Sequence, residues 1–174
     1  MEVVYIGLII VVILLLSYVF YYYYYGPGKA PTYLTVTNKP IMQHYNTATG
    51  PAISCLDELG GLGGTSLDVF TCTGGSNQAF NSDGKGGLYT TDGTNKWFLD
   101  AGPATVGTTI SFSTAPTAGV WTYNSTNGGV SGTLSPAVNP NVCLEIATYN
   151  LVAGGNLPIL TTCSNSPTQL FSLS

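Results

Sequence analysis

Two patterns of apolar and polar positions divide this chain. Residues 3–20 form an unbroken apolar run without a charge, its hydroxyls confined to Tyr5, Ser17 and Tyr18. As a helix such a run rises roughly 27 Å, close to the hydrocarbon thickness of a bilayer. It therefore predicts a single transmembrane α-helix. The tyrosines at 21–25 supply amphipathic rings that settle at the lipid–water interface, and Gly26-Pro27-Gly28 stops a helix. The expected anchor is 1–25, with lipid contact through residues 3–25, followed by a linker at 26–40. A cleaved signal peptide is the competing reading. Against it, the run is longer than a typical h-region, lacks a basic leader and precedes no small-residue cleavage site. A core helix fits less well, because the segment is apolar all round.

From residue 41 onward the pattern changes to short alternating runs between turn residues, which predicts strands. Ile110-Ser111-Phe112 and Val120-Trp121-Thr122-Tyr123 read as strands; Asp83-Gly84, Asp92-Gly93 and Asn127-Gly128 read as tight turns. These runs also repeat. Cys55-Leu56-Asp57 leads to Phe70-Thr71-Cys72 and then Gln78-Ala79-Phe80. Cys143-Leu144-Glu145 leads to Thr161-Thr162-Cys163 and then Gln169-Leu170-Phe171. Between them, Phe98-Leu99-Asp100 leads to Ser113 and then Gly119-Val120-Trp121. Three copies at a spacing of roughly 40 to 50 residues mark an internally repeated fold. The expected copies are about 41–85, 86–128 and 129–174, in one domain long enough to bury a core.

Charge narrows the partners. Only 7% of residues are charged and arginine is absent. Lys29 and Lys39 against Glu2 give residues 1–40 a net charge of +1. Lys85 and Lys96 against Asp57, Glu58, Asp68, Asp83, Asp92, Asp100 and Glu145 give residues 41–174 a net of −5. A phosphate backbone needs a basic surface to displace its counterions, so nucleic acid is excluded as a partner.

The four cysteines fall as one pair in the first copy and one in the third. No C-x-x-C or histidine-bearing zinc spacing occurs, and His44 is the sole histidine, so no metal or other cofactor is expected. Matching positions in related copies suggest two local bridges, Cys55–Cys72 and Cys143–Cys163. Free buried thiols are the alternative. Against them, the middle copy lacks both cysteines together, with Phe98 and Ser113 in their places.

Cys-Leu-Asp, an aromatic-x-Cys strand end and Asn-Gln-x-aromatic together resemble the ricin B-type lectin module with its Gln-x-Trp repeat, over the whole of about 41–174. The resemblance implies an all-β fold, a β-trefoil of three four-stranded repeats. It departs from the pattern where Phe80 and Phe171 stand for tryptophan, and where Gly119 replaces the glutamine before Trp121. Phe80, Trp121, Gln169 and Phe171 are implied to be core motif residues.

The same resemblance implies a sugar site built from an acid, a stacking ring, an Asn and a Gln. In the first copy these are Asp57, Phe70, Asn77 and Gln78. The second copy has Asp100 but Ser111, Ala118 and Gly119; the third has Glu145, Thr161, Thr168 and Gln169, without a ring. The chemistry stands on its own terms, since a carboxylate, an amide and a ring match the hydroxyls and C–H patches of a sugar. Turn-capping by Asp57 and Asn77, with Phe70 in the core, is the other reading of these residues.

Catalysis finds little support. Gly60-Gly61-Leu62-Gly63-Gly64 lacks the Lys-Ser/Thr ending of a phosphate loop and reads as a hairpin tip. One histidine assembles no nucleophilic pair, and Asp57 and Glu58 point apart on a strand. Asn124-Ser125-Thr126 is a glycosylation sequon if the domain faces a lumen.

Disulfides imply an oxidising face, a cell surface or lumen, whereas Lys29 and Lys39 favour a cytoplasmic domain by the positive-inside rule. The Gly/Thr/Asn-rich, charge-poor composition resembles that of the coat proteins of large DNA viruses, many of which oxidise thiols themselves. Two functions are thus expected: an anchored lectin-like module recognising a glycan, or a minor capsid protein docking an internal membrane to neighbouring capsid proteins in a virion.

Overall fold

The computed structural model describes residues 13, 15–17, 33–47, 50–126, 130–146 and 157–173. The chain divides into two compact units, Met1–Pro31 and Thr32–Ser174. In the first unit Ile13 and residues 15–17 are helical and exposed, with the Ser17 hydroxyl donating to the Ile13 carbonyl. Among the described residues no helix is long and apolar enough to cross a membrane. Most of the expected anchor, the tyrosine run and Gly26-Pro27-Gly28 lie outside the described residues.

The second unit carries twelve described strands: β1 (Ile41–Thr47), β2 (Gly50–Glu58), β3 (Leu67–Thr71), β4 (Asn81–Ser82), β5 (Leu88–Thr91), β6 (Lys96–Asp100), β7 (Ser111–Ser113), β8 (Trp121–Thr126), β9 (Ser131–Pro136), β10 (Val142–Glu145), β11 (Ile159–Thr162) and β12 (Ser172–Leu173). Their pairing has a period of four. The second and third strands of each set form a hairpin: β2–β3, β6–β7 and β10–β11. The fourth strand of each set pairs with the first of the next: β4–β5, β8–β9 and β12–β1. First and second strands pair in β1–β2 and β5–β6. The sheet breaks between β9 and β10; β9 ends on Pro136, which has no amide hydrogen to extend a ladder.

The three motif aromatics sit in corresponding places. Phe80, Trp121 and Phe171 are each 0% exposed, and each donates its backbone N–H to a residue near the start of its set. The acceptors are the carbonyls of Lys39 (2.9 Å), Gly86 (2.8 Å) and Gly132 (2.8 Å). Gly86 is required at its position. Its φ is +96°, and a Cβ there would lie 2.7 Å from the Tyr33 ring, so a side chain would meet both strain and a clash. Trp121 also satisfies its indole N–H at the Leu99 carbonyl, 3.0 Å away. Leu56, Leu88, Leu99, Leu134, Leu144 and Leu160 complete the buried interior.

The expected linker needs correction at its C-terminal end. Leu34 and Val36 are buried in this core, and Val36 exchanges hydrogen bonds with Ser82 across β4. Residues 33–40 are therefore part of the domain, their alternation of apolar and polar positions too brief to stand out from a linker.

The turns at Asp83-Gly84 and Asp92-Gly93 form as expected. Asp83 Oδ1 accepts the amides of Lys85 and Gly87, and Asp92 Oδ1 accepts those of Thr94 and Asn95. Asn127-Gly128 lies outside the described residues. Both bridges, Cys55–Cys72 and Cys143–Cys163, are formed, which places the domain in an oxidising environment.

Candidate functional site

The first copy gathers its acid, ring and amides at one end of the β2–β3 hairpin. Asp57 lies near the end of β2, opposite Asp68 on β3. The short 3-10 turn Ser76–Gln78 carries the two amides over it. Asn77 Nδ2 donates to Asp57 Oδ1 at 2.8 Å, and Gln78 Nε2 donates to Asp57 Oδ2 at 2.7 Å. Phe70 is half-buried. Asp57, Phe70 and Asn77 line a cleft of about 230 Å³ that is open to solvent, together with Asp68, Thr73 and the loop from Leu59 to Gly61.

Gln78 has a different place from its three companions. It is only 1% exposed and does not line the cleft. Its Oε1 accepts the Thr73 amide at 2.8 Å, and its Nε2 also donates to the Thr71 carbonyl at 2.9 Å. It fixes the Asp57 carboxylate from behind and ties down the end of β3. Asp68 and the loop residues escaped the sequence reading. The available signal was position: Asp68 is the cross-strand partner of the acid that the motif names.

Burial raises the Asp57 carboxyl above its ordinary 3.8, against the hydrogen bonds from Gln78 and Asn77, and the Asp68 charge raises it further. Glu58, next along the strand, faces the other way as expected. It is 0% exposed and receives the Thr90 hydroxyl and the Gly63 amide. Burial pushes its carboxyl up too, against those donors. Glu58 thus anchors the glycine-rich tip that forms one wall of the cleft.

The other copies spend their acids internally. Asp100 accepts the amides of Gly102, Thr117 and Ala118, each at 2.9 Å. Burial would raise its carboxyl, but the amides of Ala118, Thr117 and Gly102 outweigh that and hold it below 3.8. Backbone here replaces the missing Asn and Gln side chains. Glu145 receives the Thr161 hydroxyl, Thr168 Oγ1 at 3.0 Å and Gln169 Nε2 at 3.0 Å. Burial raises its carboxyl, and the donors from Thr161, Gln169 and Thr168 outweigh it.

Strand register corrects two assignments in the second copy. Phe98↔Ser113 corresponds to Cys55↔Phe70 and Cys143↔Thr161. Ser113 therefore occupies the stacking position and Ala115 the second cysteine position, two residues beyond the expected places. Ser111 instead corresponds to Asp68. The loop leading to Trp121 is shorter than its counterparts, so counting backward from the aromatic misplaced both.

Solved structures share this architecture. The C-half of an earthworm R-type lectin, in complex with GalNAc, matches with a TM-score of 0.55 at 16% identity, over 79% of this chain and 98% of that one. A Macrolepiota procera ricin B-like lectin in complex with lactose matches at 0.57 and 17% identity, over 81% and 99%. The designed 3-fold symmetric protein ThreeFoil matches at 0.57 and 17% identity, over 78% and 97%. Likeness at this level establishes the fold, a β-trefoil. No family model matches the sequence, and no curated protein is similar to it.

Proposed function

We propose that this chain is a non-catalytic, lectin-like binding module that takes a glycan into the first-copy cleft and is held to a bilayer through residues 3–25. Asp57 accepts hydrogen bonds from sugar hydroxyls, Asn77 adds its amide, Phe70 stacks on the C–H face, and Gln78 holds Asp57 in place. One observation carries the reading. Among the described residues, the first copy combines an acid, an amide and a ring along a single open cleft. The folds of the GalNAc and lactose complexes support it by analogy.

The test is the full chain in mild detergent on a glycan array, wild type against Asp57→Ala. Losing a charged hydrogen bond should weaken binding about ten- to a hundredfold. An unchanged array signal would reject the assignment. A second reading, docking between a membrane and a capsid shell, is favoured by the internal closure of the Asp100 and Glu145 sites. It expects no glycan signal at all.

A further inference from the structure

The second copy's missing disulfide leaves a consequence in the fold. Phe98 stands where the other copies place Cys55 and Cys143. Its half-buried ring lines a second open cleft of about 330 Å³, beside Asp83, Pro116, Val120 and Val138. This cleft is not the second copy's counterpart of the first cleft, whose acid would be Asp100; Asp100 is consumed by backbone amides.

Several features fit this cleft to a small ligand. Tyr89 packs on Phe98 with ring centroids 5.2 Å apart, and Lys96 Nζ sits 4.4 Å from the Tyr89 centroid, so the Phe98 ring is held from its own sheet. Asp83 Oδ1 is engaged by the turn amides of Lys85 and Gly87. Asp83 Oδ2 accepts no hydrogen bond among the described residues and is available at the wall. Two glycines let the walls approach as closely as they do. A Cβ on Gly87 would lie 2.7 Å from Asp83 Oδ2 and 3.0 Å from the Phe98 ring, and one on Gly119 would lie 2.5 Å from Pro116.

We propose that this cleft between the Asp83 turn and the Phe98 ring is a second saccharide site, which makes the module bivalent. The warrant is chemical. A fixed ring, flanked by exposed valines, offers an apolar platform for C–H groups, and a carboxylate oxygen on a turn accepts hydroxyl donors. The first cleft pairs a phenylalanine with an aspartate in the same way. A net charge of −5 over residues 41–174 disfavours anionic ligands and leaves neutral sugars unopposed. The cleft is at the small end of ligand sites, roughly 300–1,000 Å³, which suits one or two rings. The proposal extends the lectin-like reading but uses none of the first cleft's residues.

Calorimetric titration of the full chain in mild detergent separates the two sites. The probes are galactose, GalNAc, glucose, mannose and lactose. Two equivalents should bind to wild type. Asp57→Ala should leave one, and adding Phe98→Ala should remove it. Since Phe98→Ala also disturbs packing, Gly87→Ala and Asp83→Asn provide independent variants. The first presses a methyl against Asp83 Oδ2 and the Phe98 ring and should displace both; the second keeps the turn's acceptor and should weaken the site about ten- to a hundredfold. If Asp57→Ala abolishes all binding, the second site is refuted while the first stands. If the second-cleft variants alone abolish binding, the first-cleft reading falls and this one holds. If wild type binds none of the five sugars, both fail and the cleft is left to a protein contact.

Discussion

Replacing Gln169 by leucine tests whether the motif glutamines are framework or ligand. Gln169 is 0% exposed. Its Oε1 accepts the Ser164 amide at 2.8 Å, and its Nε2 donates to the Thr162 carbonyl at 2.9 Å, Thr161 Oγ1 at 2.8 Å and Glu145 Oε2 at 3.0 Å. Leucine leaves the Ser164 amide and the Thr162 carbonyl without these partners. Glu145 and Thr161 keep each other but lose the amide, and all four bonds are only part-buried, since Thr162 and Ser164 are exposed residues. The four lost hydrogen bonds cost about 0.5–1.5 kcal/mol each, and the added apolar burial returns roughly 1 kcal/mol. The net loss is about 1–5 kcal/mol, a substantial share of a typical 5–15 kcal/mol. Thermal unfolding followed by tryptophan fluorescence, on the full chain in mild detergent, should show Tm lower by roughly 3–15 °C. Sugar binding should be unaffected, because the third copy lacks a ring. Gln78→Leu should lower Tm similarly and weaken sugar binding too, since Gln78 orients Asp57. A Gln169→Leu protein that melts within a degree of wild type would refute the framework role.

Removing the Cys55–Cys72 bridge by serine substitution frees a loop with a sequence separation of 17 and should cost about 3 kcal/mol on the chain-entropy argument; equilibrium unfolding of oxidised wild type against the variant measures it. Sugar binding through the first cleft should fail in acid earlier than for an ordinary aspartate. Burial sets the Asp57 value above 3.8, so the accepting carboxylate is lost as pH falls through that raised value, and a pH series should be flat for Asp57→Asn. Folding responds in the opposite sense at this residue. The penalty for burying its charge is present above the raised value and gone below the ordinary one.

The trefoil was legible in the sequence because its repeat is marked by residues with few substitutes. A fully enclosed aromatic in each copy and a cysteine pair at two of the three hairpins leave a spacing that survives loop variation. Where such markers are missing, position is lost. The second copy has no cysteines and a shorter approach to Trp121, so spacing alone puts the stacking position at Ser111, whereas it is Ser113. Only the strand register between β6 and β7 corrects this. Residues 33–40 are likewise hidden, since Val36 bonds to Ser82 and Lys39 bridges to Phe80, contacts to segments more than 40 residues further along the chain.

Composition, charge and repeat spacing determined on their own that this is an all-β, threefold-repeated domain with a negative surface and an apolar leading segment. Those properties are sums and periods along the chain, readable without knowing which segments meet. Tertiary structure decided how each acid is placed. Asp57, Asp100 and Glu145 look alike in sequence and each accepts donors from a later segment, but Asp57 also lines an open cleft with Phe70 and Asn77. The second cleft belongs to the same category, because it exists only where the Asp83 turn, the Phe98 ring and the loop before Trp121 are folded against one another.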